Sequence, residues 1–248
     1  MSTAFTYLGG PTGLLEYAGL RIVIDPTFDP PRTYPSPGTP LVKTAGPALP
    51  VEAVEPVDLV LLSHHAHEDN LDDSGRELAL RVPVTLSTPQ AQDELGGPVI
   101  GLKPWQQHRV GEVTVTGLPG HHGPRAVRPL IGPVVGFLLE APGAPKVYVS
   151  GDNSSLRAVK QIAERFAPIE IAILFAGAAR VPAIPAPLTM TGEKAARAAA
   201  VLQATKVVGV HVEDWKHFSE GRAELEAAFA GSGLLVPTPR GERVVLIP

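Results

Sequence analysis

A chain of 248 residues is long enough for a sizeable hydrophobic core, and its 44% hydrophobic and 19% charged residues are typical of a globular protein. The formal net charge of −4 argues against binding nucleic acid through phosphate neutralisation, but it leaves room for an anionic small-molecule substrate in a locally basic pocket. Because the chain contains no cysteine, disulfides, thiolate nucleophiles and iron–sulfur clusters are excluded. A metal site here requires histidine, carboxylate or neutral oxygen ligands.

The beginning of the chain has neither the basic start nor the continuous apolar run of a signal peptide. No segment approaches the roughly 20 uninterrupted apolar residues of a transmembrane helix. We therefore expect a cytoplasmic protein without membrane contacts. Since the sequence shows no tandem repeat and no Gly/Ser linker, we expect one domain over residues 1–248.

Short β-branched apolar runs that end in polar residues recur along the chain and predict strands. In chain order they cover residues 21–25, 57–63, 112–116, 134–140, 146–150, 169–175, 206–212 and 243–247. Helical spacing predicts a helix in 74–82, one in 159–166 ended by Pro168, one in 192–204 capped by Thr191, and one in 220–230. Strands and helices that alternate in this way indicate an α/β fold.

One segment breaks this pattern. Between residues 25 and 50, prolines occupy positions 26, 30, 31, 35, 37, 40, 47 and 50, which predicts an irregular loop. Loops of this length inside compact domains are usually functional or disordered. Two functional roles are open: a lid over a site, or a contact in a homo-oligomer.

Histidine and carboxylate side chains follow four of the predicted strands. In order these groups are His64, His65, His67, Asp69 and Asn70; His121 and His122; Asp152; and His211. Ligands of open α/β folds gather beyond the carboxyl ends of strands, so we expect these groups to converge. Imidazole and carboxylate are ligands of Zn²⁺, Mn²⁺ and Fe²⁺ when thiolate is absent. The sequence therefore predicts a metal site.

The first histidine group leaves two arrangements open. In an extended backbone alternate side chains point the same way, so His65 and His67 converge with Asp69; alternatively, His64 turns inwards and His65 faces out. His108 and His217 stand apart from the groups, and we expect both to be ordinary hydrogen-bonded surface residues. Trp215 and Phe218, which follow His211, are expected to pack in the core.

Together these motifs resemble the metallo-β-lactamase fold superfamily. SHHAHEDN is similar to its HxHxDH motif, PGHHGP to its second histidine motif, SGDNS to its aspartate motif, VGVHVEDW to its last histidine motif and TGLLEYAGLRIVIDPTFD to its opening hairpin. The resemblance covers almost the whole chain and is closest to the bacterial branch of L-ascorbate-6-phosphate lactonase-like hydrolases. It implies an αβ/βα four-layer sandwich of two mixed β-sheets flanked by helices.

Carried onto this sequence, the resemblance implies one or two divalent metal ions, Zn²⁺ or Mn²⁺, with Fe²⁺ as an alternative. The first position takes His64 or His65 with His67 and His122, and the second takes Asp69, Asp152 and His211, with Asp152 bridging. His122 is preferred to His121 because similar families place the histidine directly before glycine. The chain departs from the superfamily at Asn70, where the motif has histidine. A neutral amide oxygen is a weaker ligand, which predicts either a weakly occupied second position or harder ions such as Mn²⁺.

The predicted function is metal-dependent hydrolysis of a small ester, lactone or phosphoester. A divalent ion brings the pKa of its water near 7 and so supplies hydroxide at neutral pH, with Asp69 as the catalytic residue that orients it. Arg180 follows a predicted strand and is a candidate for binding an anionic substrate group. The alternatives are a nuclease or phosphodiesterase, which the acidic charge disfavours, and an iron-dependent oxidoreductase or non-catalytic metal binder on the same fold.

Overall fold

A computed structural model of the chain describes residues 2–35 and 39–248, and it contains two large mixed sheets and a small hairpin. The first elements are β1 (Thr3–Gly9), β2 (Thr12–Tyr17), β3 (Leu20–Ile24), β4 (Arg32–Tyr34), β5 (Leu41–Lys43), α1 (Val51–Val54), β6 (Leu59–Leu61), α2 (Asp73–Arg81), β7 (Thr85–Ser87), α3 (Pro89–Leu95) and β8 (Val99–Gly101). The remaining elements are β9 (Gln107–Val110), β10 (Val113–Pro119), α4 (Arg128–Ile131), β11 (Val135–Glu140), β12 (Val147–Val149), α5 (Leu156–Phe166), β13 (Ile171–Phe175), α6 (Gly192–Leu202), β14 (Lys206–Val210), α7 (Arg222–Ala228) and β15 (Arg243–Ile247).

Each large sheet combines parallel and antiparallel strands. The first has the order β15-β1-β2-β3-β6-β7-β8, antiparallel from β15 to β3 and parallel from β3 to β8. The second has the order β14-β13-β12-β11-β10-β9, in which β14, β13 and β12 are parallel and the other pairs antiparallel. Parallel strands of both sheets therefore present their carboxyl ends to loops that can meet at one edge.

The alternation of side chains along the strands builds the layers. Ile22 and Ile24 of β3 point into the core between the sheets, where they join Phe137 of β11, whereas Val23 points to the outer face. Helices α1 and α2 cover the outer face of the first sheet, and α5, α6 and α7 cover that of the second. This arrangement confirms the predicted four-layer sandwich.

The cap residues of α6 determine where this predicted helix begins and ends. Thr191 Oγ1 accepts a hydrogen bond from the Lys194 amide at 3.1 Å and caps α6 as predicted. That helix ends at Leu202, before the predicted residue 204, because Gln203 adopts a left-handed conformation with φ of 58°. Within the described part of the chain, the helices are too short or too polar to cross a bilayer.

The prediction of an irregular proline-rich segment is wrong for the six residues of β4 and β5. These strands pair with Thr33 opposite Val42, because the prolines all fall outside them. The buried Lys43 Nζ lies 2.9 Å from Asp72 Oδ2, and Asp72 caps α2, so the hairpin is fastened to the first sheet. Residues 36–38, which include Pro37, lie outside the described residues, and the lid and oligomer roles stay predictions.

We expect Phe137→Ala to destabilise the fold by about 3–5 kcal/mol, because Phe137 is fully buried between the sheets and its loss leaves a cavity. Urea unfolding followed by circular dichroism measures this. Val245→Ala is the matched control: Val245 is 47% exposed and its truncation should change the unfolding free energy by less than about 0.5 kcal/mol. Equal effects of the two variants would contradict this description of the core.

Candidate metal centre

Buried histidines and carboxylates from both sheets meet just beyond the ends of their strands. We call His64, His67 and His122 the first triple, and Asp69, Asp152 and His211 the second triple. Within each triple one potential ligand atom per residue lies within 4.8 Å of the others. The first triple follows β6 and β10, and the second follows β6, β12 and β14. The structure thus brings together groups from four strand exits, as the sequence predicts.

Hydrogen bonds on the far side of the ring orient His64 and His122 of the first triple. The His122 Nδ1 lies 3.0 Å from the carbonyl oxygen of Leu188, which only accepts, so Nδ1 donates and Nε2 keeps its lone pair. The His64 Nδ1 lies 3.0 Å from Ser63 Oγ, and the His64 Nε2 lies 2.8 Å from the His67 Nδ1. Ring nitrogens of all three histidines therefore face a common centre.

The geometry of the structure favours one of the two arrangements that the sequence leaves open. His65 turns out of the centre, and its Nε2 lies 2.8 Å from Glu94 Oε2 on α3. His65 therefore lies outside both triples, whereas His64 lies inside, and the choice of His64 as the metal ligand stays a prediction. His121 lies outside both triples and lines a neighbouring cavity, whereas its successor His122 lies inside, as preferred.

Asp152 lies between the two triples. Its Oδ1 is 3.5 Å from the His211 Nε2, and its Oδ2 is 3.5 Å from the His122 Nε2. On the other side, the His211 Nε2 is 3.3 Å from Asp69 Oδ2. A carboxylate with one oxygen towards each triple has the geometry of a bridging ligand, which is the role that the resemblance implies for Asp152.

Asn70 faces the second triple with its amide nitrogen rather than its oxygen. Its Nδ2 donates to Asp25 Oδ2 at 2.9 Å and to Asp152 Oδ1 at 3.2 Å. Two carboxylates need a donor between them, which fixes this orientation of the amide. Asn70 therefore positions Asp152 instead of offering a ligand oxygen, and the second triple keeps two carboxylates and one imidazole.

Asp25, which follows β3, is a fully buried carboxylate that the sequence pattern identifies only as the end of a strand. It accepts hydrogen bonds from the Ser63 amide and Ser63 Oγ, both at 2.6 Å, as well as from Asn70. Burial raises the pKa of Asp25 to about 7, although the hydrogen bonds from Ser63 and Asn70 oppose this rise. When Asp25 is ionised, Ser63 donates to it and must accept from the His64 Nδ1, which orients that ring.

His217 contradicts the expectation of an ordinary surface residue. Its Nε2 lies 2.9 Å from Asp69 Oδ2, and its side chain is 10% exposed on the wall of a cavity beside the triples. The segment turns back here because the Lys216 amide donates to the carbonyl oxygen of Val42 in the hairpin, at 3.0 Å. Trp215 packs with Tyr34 as expected of a core residue.

His211 depends on the turn between β1 and β2. Its amide donates to the carbonyl oxygen of Gly10 at 2.6 Å, and its own φ is 59°. Gly10 has φ of 52°, and a Cβ there would lie 3.0 Å from Trp215 Nε1. The opening turn therefore requires glycine in order to hold the histidine of the second triple.

Charge and burial together shape the acid–base properties of both triples. Burial alone would raise the pKa of Asp69, but His217 and His211 outweigh it and hold that pKa well below its usual range. Burial lowers the pKa of His64 well below its usual range, with His67 and His122 adding to the effect. Asp69 is thus ionised and His64 neutral, which are the ligand forms that metals require.

The donor set fits a divalent metal. Among the described residues, the buried Asp152 Oδ2 and His211 Nε2 have no hydrogen-bond partner. Orphaned buried polar atoms are costly, and an uncompensated buried carboxylate is costlier still. A cation between these groups would satisfy both, so the triples are complete as ligand sets even without a thiolate.

Arg180 lies apart from the centre. Its Nε donates to Ser219 Oγ at 3.2 Å and its Nη1 to the carbonyl oxygen of Pro185 at 3.4 Å. Its neighbours Ala179 and Val181 line the cavity, but the exposed Arg180 side chain is not part of that wall. Its proposed role in binding an anionic group therefore has no support in this geometry.

We expect His64→Ala to lose tightly bound metal and His65→Ala to retain it, because only His64 faces the other rings. Equilibrium dialysis against Zn²⁺ or Mn²⁺, followed by inductively coupled plasma mass spectrometry, measures the retained ion. Because both variants remove a buried imidazole, comparing them separates loss of a metal ligand from the general effect of that removal. Loss of metal in His65→Ala alone would reverse the assignment.

Comparisons with known proteins indicate the family and the enzyme class of this chain. A family model described as a β-lactamase superfamily domain matches residues 20–212. The chain is 26% identical over 246 residues to a UPF0173 metal-dependent hydrolase of Pyrococcus furiosus, a match that covers 97% of this chain and 98% of that protein. The prediction of the enzyme class agrees with that description, whereas the L-ascorbate-6-phosphate lactonase-like branch stays a prediction.

Solved structures share the fold at low sequence identity. A possible metal-dependent hydrolase from Veillonella parvula superposes with a TM-score of 0.84 at 22% identity, covering 99% of this chain and 100% of that one. An isothiocyanate hydrolase from Delia radicum gut bacteria gives 0.82 at 22% identity, covering 98% and 99%. Since the family match spans more than half of the chain and includes both triples, the chain belongs to the β-lactamase superfamily, with the metallo-β-lactamase fold.

Proposed function

We propose that the protein is a metal-dependent hydrolase that acts on a small ester, lactone or phosphoester. The observation that carries this proposal is the pair of buried triples joined by Asp152 and open to a cavity of about 370 Å³ on the side of His67, Asp69 and His122. The description of the Pyrococcus furiosus relative as a metal-dependent hydrolase supports the same reaction class.

The chemistry requires a nucleophilic water and a stabilised oxyanion. A divalent ion held by these residues lowers the pKa of a bound water and stabilises negative charge on a substrate oxygen. In ester hydrolysis the water oxygen bonds to the acyl carbon and the bond to the alkoxy oxygen breaks. One proton of the water ends on the alcohol, and the other ends on the carboxylic acid, which releases it to solvent at neutral pH.

Asp69 is the residue that we assign to water orientation. Its carboxylate faces the cavity, and its Oδ2 is shared with the His217 Nε2 at 2.9 Å and the His211 Nε2 at 3.3 Å. These contacts hold Oδ2, and we assign Oδ1 to accept the proton of a water. The surrounding Phe175 and Phe218 rings pack on His211 and keep bulk water away from its far side.

A nuclease or phosphodiesterase is the runner-up on this fold, and the site gives it less support. Nucleic-acid binding needs cations along a backbone track, but Glu68 and Asp69 contribute carboxylates to the cavity wall. The formal net charge of −4 points the same way. Binding of single-stranded RNA that weakens steeply with added salt would move the assignment to that class.

We expect Asp69→Ala and His67→Ala to reduce hydrolysis by more than about 100-fold, because both side chains belong to the metal and water site. The rates are measured on metal-loaded protein with a p-nitrophenyl ester, a γ-lactone and bis-p-nitrophenyl phosphate. His108→Ala in β9, away from both triples, serves as the control and should keep full activity. Unchanged turnover in both site variants would refute the mechanism.

We expect metal analysis of protein purified without chelators to show either one tightly held ion with a weak second one, or two harder ions such as Mn²⁺ or Fe²⁺. The reason is that Asn70 supplies no imidazole and the second triple offers two carboxylates with one histidine. Inductively coupled plasma mass spectrometry measures the content. Two firmly bound zinc ions per chain would contradict both outcomes.

A further inference from the structure

The lining of the cavity beside the triples has two chemically different parts. One part carries the imidazoles and carboxylates of the site, including His67, Asp69 and His217. The other part, which we call the apolar wall, is aliphatic: Ile131, Val181, Ile184 and Leu188 belong to one cluster, and Leu41 is contributed by the hairpin. A reacting group held at the polar part therefore leaves the rest of its molecule beside an apolar surface.

The apolar wall also lacks a countercharge for an anion. Among the described residues that line the cavity there is no lysine or arginine, and the acidic side chains are Glu68 and Asp69. Ser36, Pro37 and Gly38, which lie outside the described part of the chain, carry no charge. An anionic group on the apolar wall would lose its hydration without gaining an ammonium or guanidinium partner from the described lining.

The nearby arginines do not supply this missing countercharge. Arg180 donates to Ser219 and to the carbonyl oxygen of Pro185, and it is not among the residues that line the cavity. Arg128 lines the neighbouring cavity on the other side of Ile131, and its Nε donates to the carbonyl oxygen of Gly123 at 3.2 Å. Phosphate and carboxylate groups are normally held by such donors, and burial without them is unfavourable.

Resting on the proposed function, we infer that the substrate is an uncharged molecule with an apolar acyl or alkyl group, and that this group lies on Leu41, Val181 and Ile184 beside the triples. The cavity of about 370 Å³ is near the lower end of small-molecule pockets, so the group is small. Carboxylic esters and lactones with aliphatic chains fit this description. Sugar phosphates and dicarboxylic acid monoesters do not.

A matched pair of substrates tests the inference. In p-nitrophenyl pentanoate and mono-p-nitrophenyl glutarate the reacting ester and the chain length agree, and only the terminal methyl group is exchanged for a carboxylate. We expect kcat/KM of the metal-loaded protein to be about tenfold or more higher for the pentanoate, since the carboxylate must be desolvated on the apolar wall. Equal values, or a preference for the glutarate, would overturn the inference.

A charge placed on the wall should weaken or abolish this preference. Ile184 is only half-buried at the rim, so Ile184→Lys is compatible with folding. It should lower the pentanoate-to-glutarate ratio about tenfold, because an ammonium group then faces the carboxylate. Ile184→Met has a chain of similar length without the charge and should keep the wild-type ratio. An identical ratio in the lysine and methionine variants would contradict the placement of the group.

A binding measurement distinguishes failure of this inference from failure of the proposed function. If neither ester is hydrolysed, the hydrolase proposal fails for esters, but pentanamide and glutaric acid monoamide still test the wall. Saturation-transfer NMR on the metal-loaded protein should show stronger binding of pentanamide. Stronger or equal binding of the monoamide acid would refute the apolar substrate class regardless of turnover.

Discussion

The structure depends most on the burial of three carboxylates, Asp25, Asp69 and Asp152, at the ends of strands from both sheets. Buried carboxylates must be hydrogen-bonded, paired or bound to a cation. Ser63 and Asn70 donate hydrogen bonds to Asp25, and His217 is hydrogen-bonded to Asp69. Asp152 keeps one oxygen without a hydrogen bond, and this remaining demand points to a cation at the centre.

The need to stabilise these buried carboxylates explains what the residues around them do. The residues that approach the carboxylates are donors, and they come from loops that the strands bring to the same edge. Asn70 stands where the superfamily motif has a histidine ligand. Its side-chain amide nitrogen donates hydrogen bonds to Asp25 and Asp152 instead. His217 supplies an additional imidazole from a distant segment and holds Asp69. The chain thus has two side chains, Asn70 and His217, that position carboxylates, where the superfamily motif has one histidine ligand.

Much of this arrangement could be predicted from the sequence because it follows from strand ends. Apolar runs followed by histidine or aspartate identified β6, β10, β12 and β14 and the side chains of both triples. The choice between His64 and His65 could not be predicted, because it depends on how the backbone turns after Ser63 and on the partner Glu94 on α3. His217 was missed because only the return of its segment to Val42 brings it to Asp69. Asp25 follows a strand just as Asp152 does, and that signal was available.

Other strands of the fold have weaker local sequence patterns. Strands β7, β8 and β9 are short or polar, and their pairing depends on the sheet that they extend rather than on their own residues. The hairpin of β4 and β5 lies in a segment whose proline content indicates a loop. Its formation depends on packing against Trp215, which no local pattern encodes.

The hydrogen bond between the Gly10 carbonyl oxygen and the His211 amide has a consequence for protein synthesis. Gly10 leaves the ribosome about 200 residues before His211, so the second triple closes only after the whole segment between them has been made. The first triple depends on Leu188, whose carbonyl oxygen orients His122. Both triples therefore become complete only after these later residues have emerged, so metal uptake would follow the folding of both sheets.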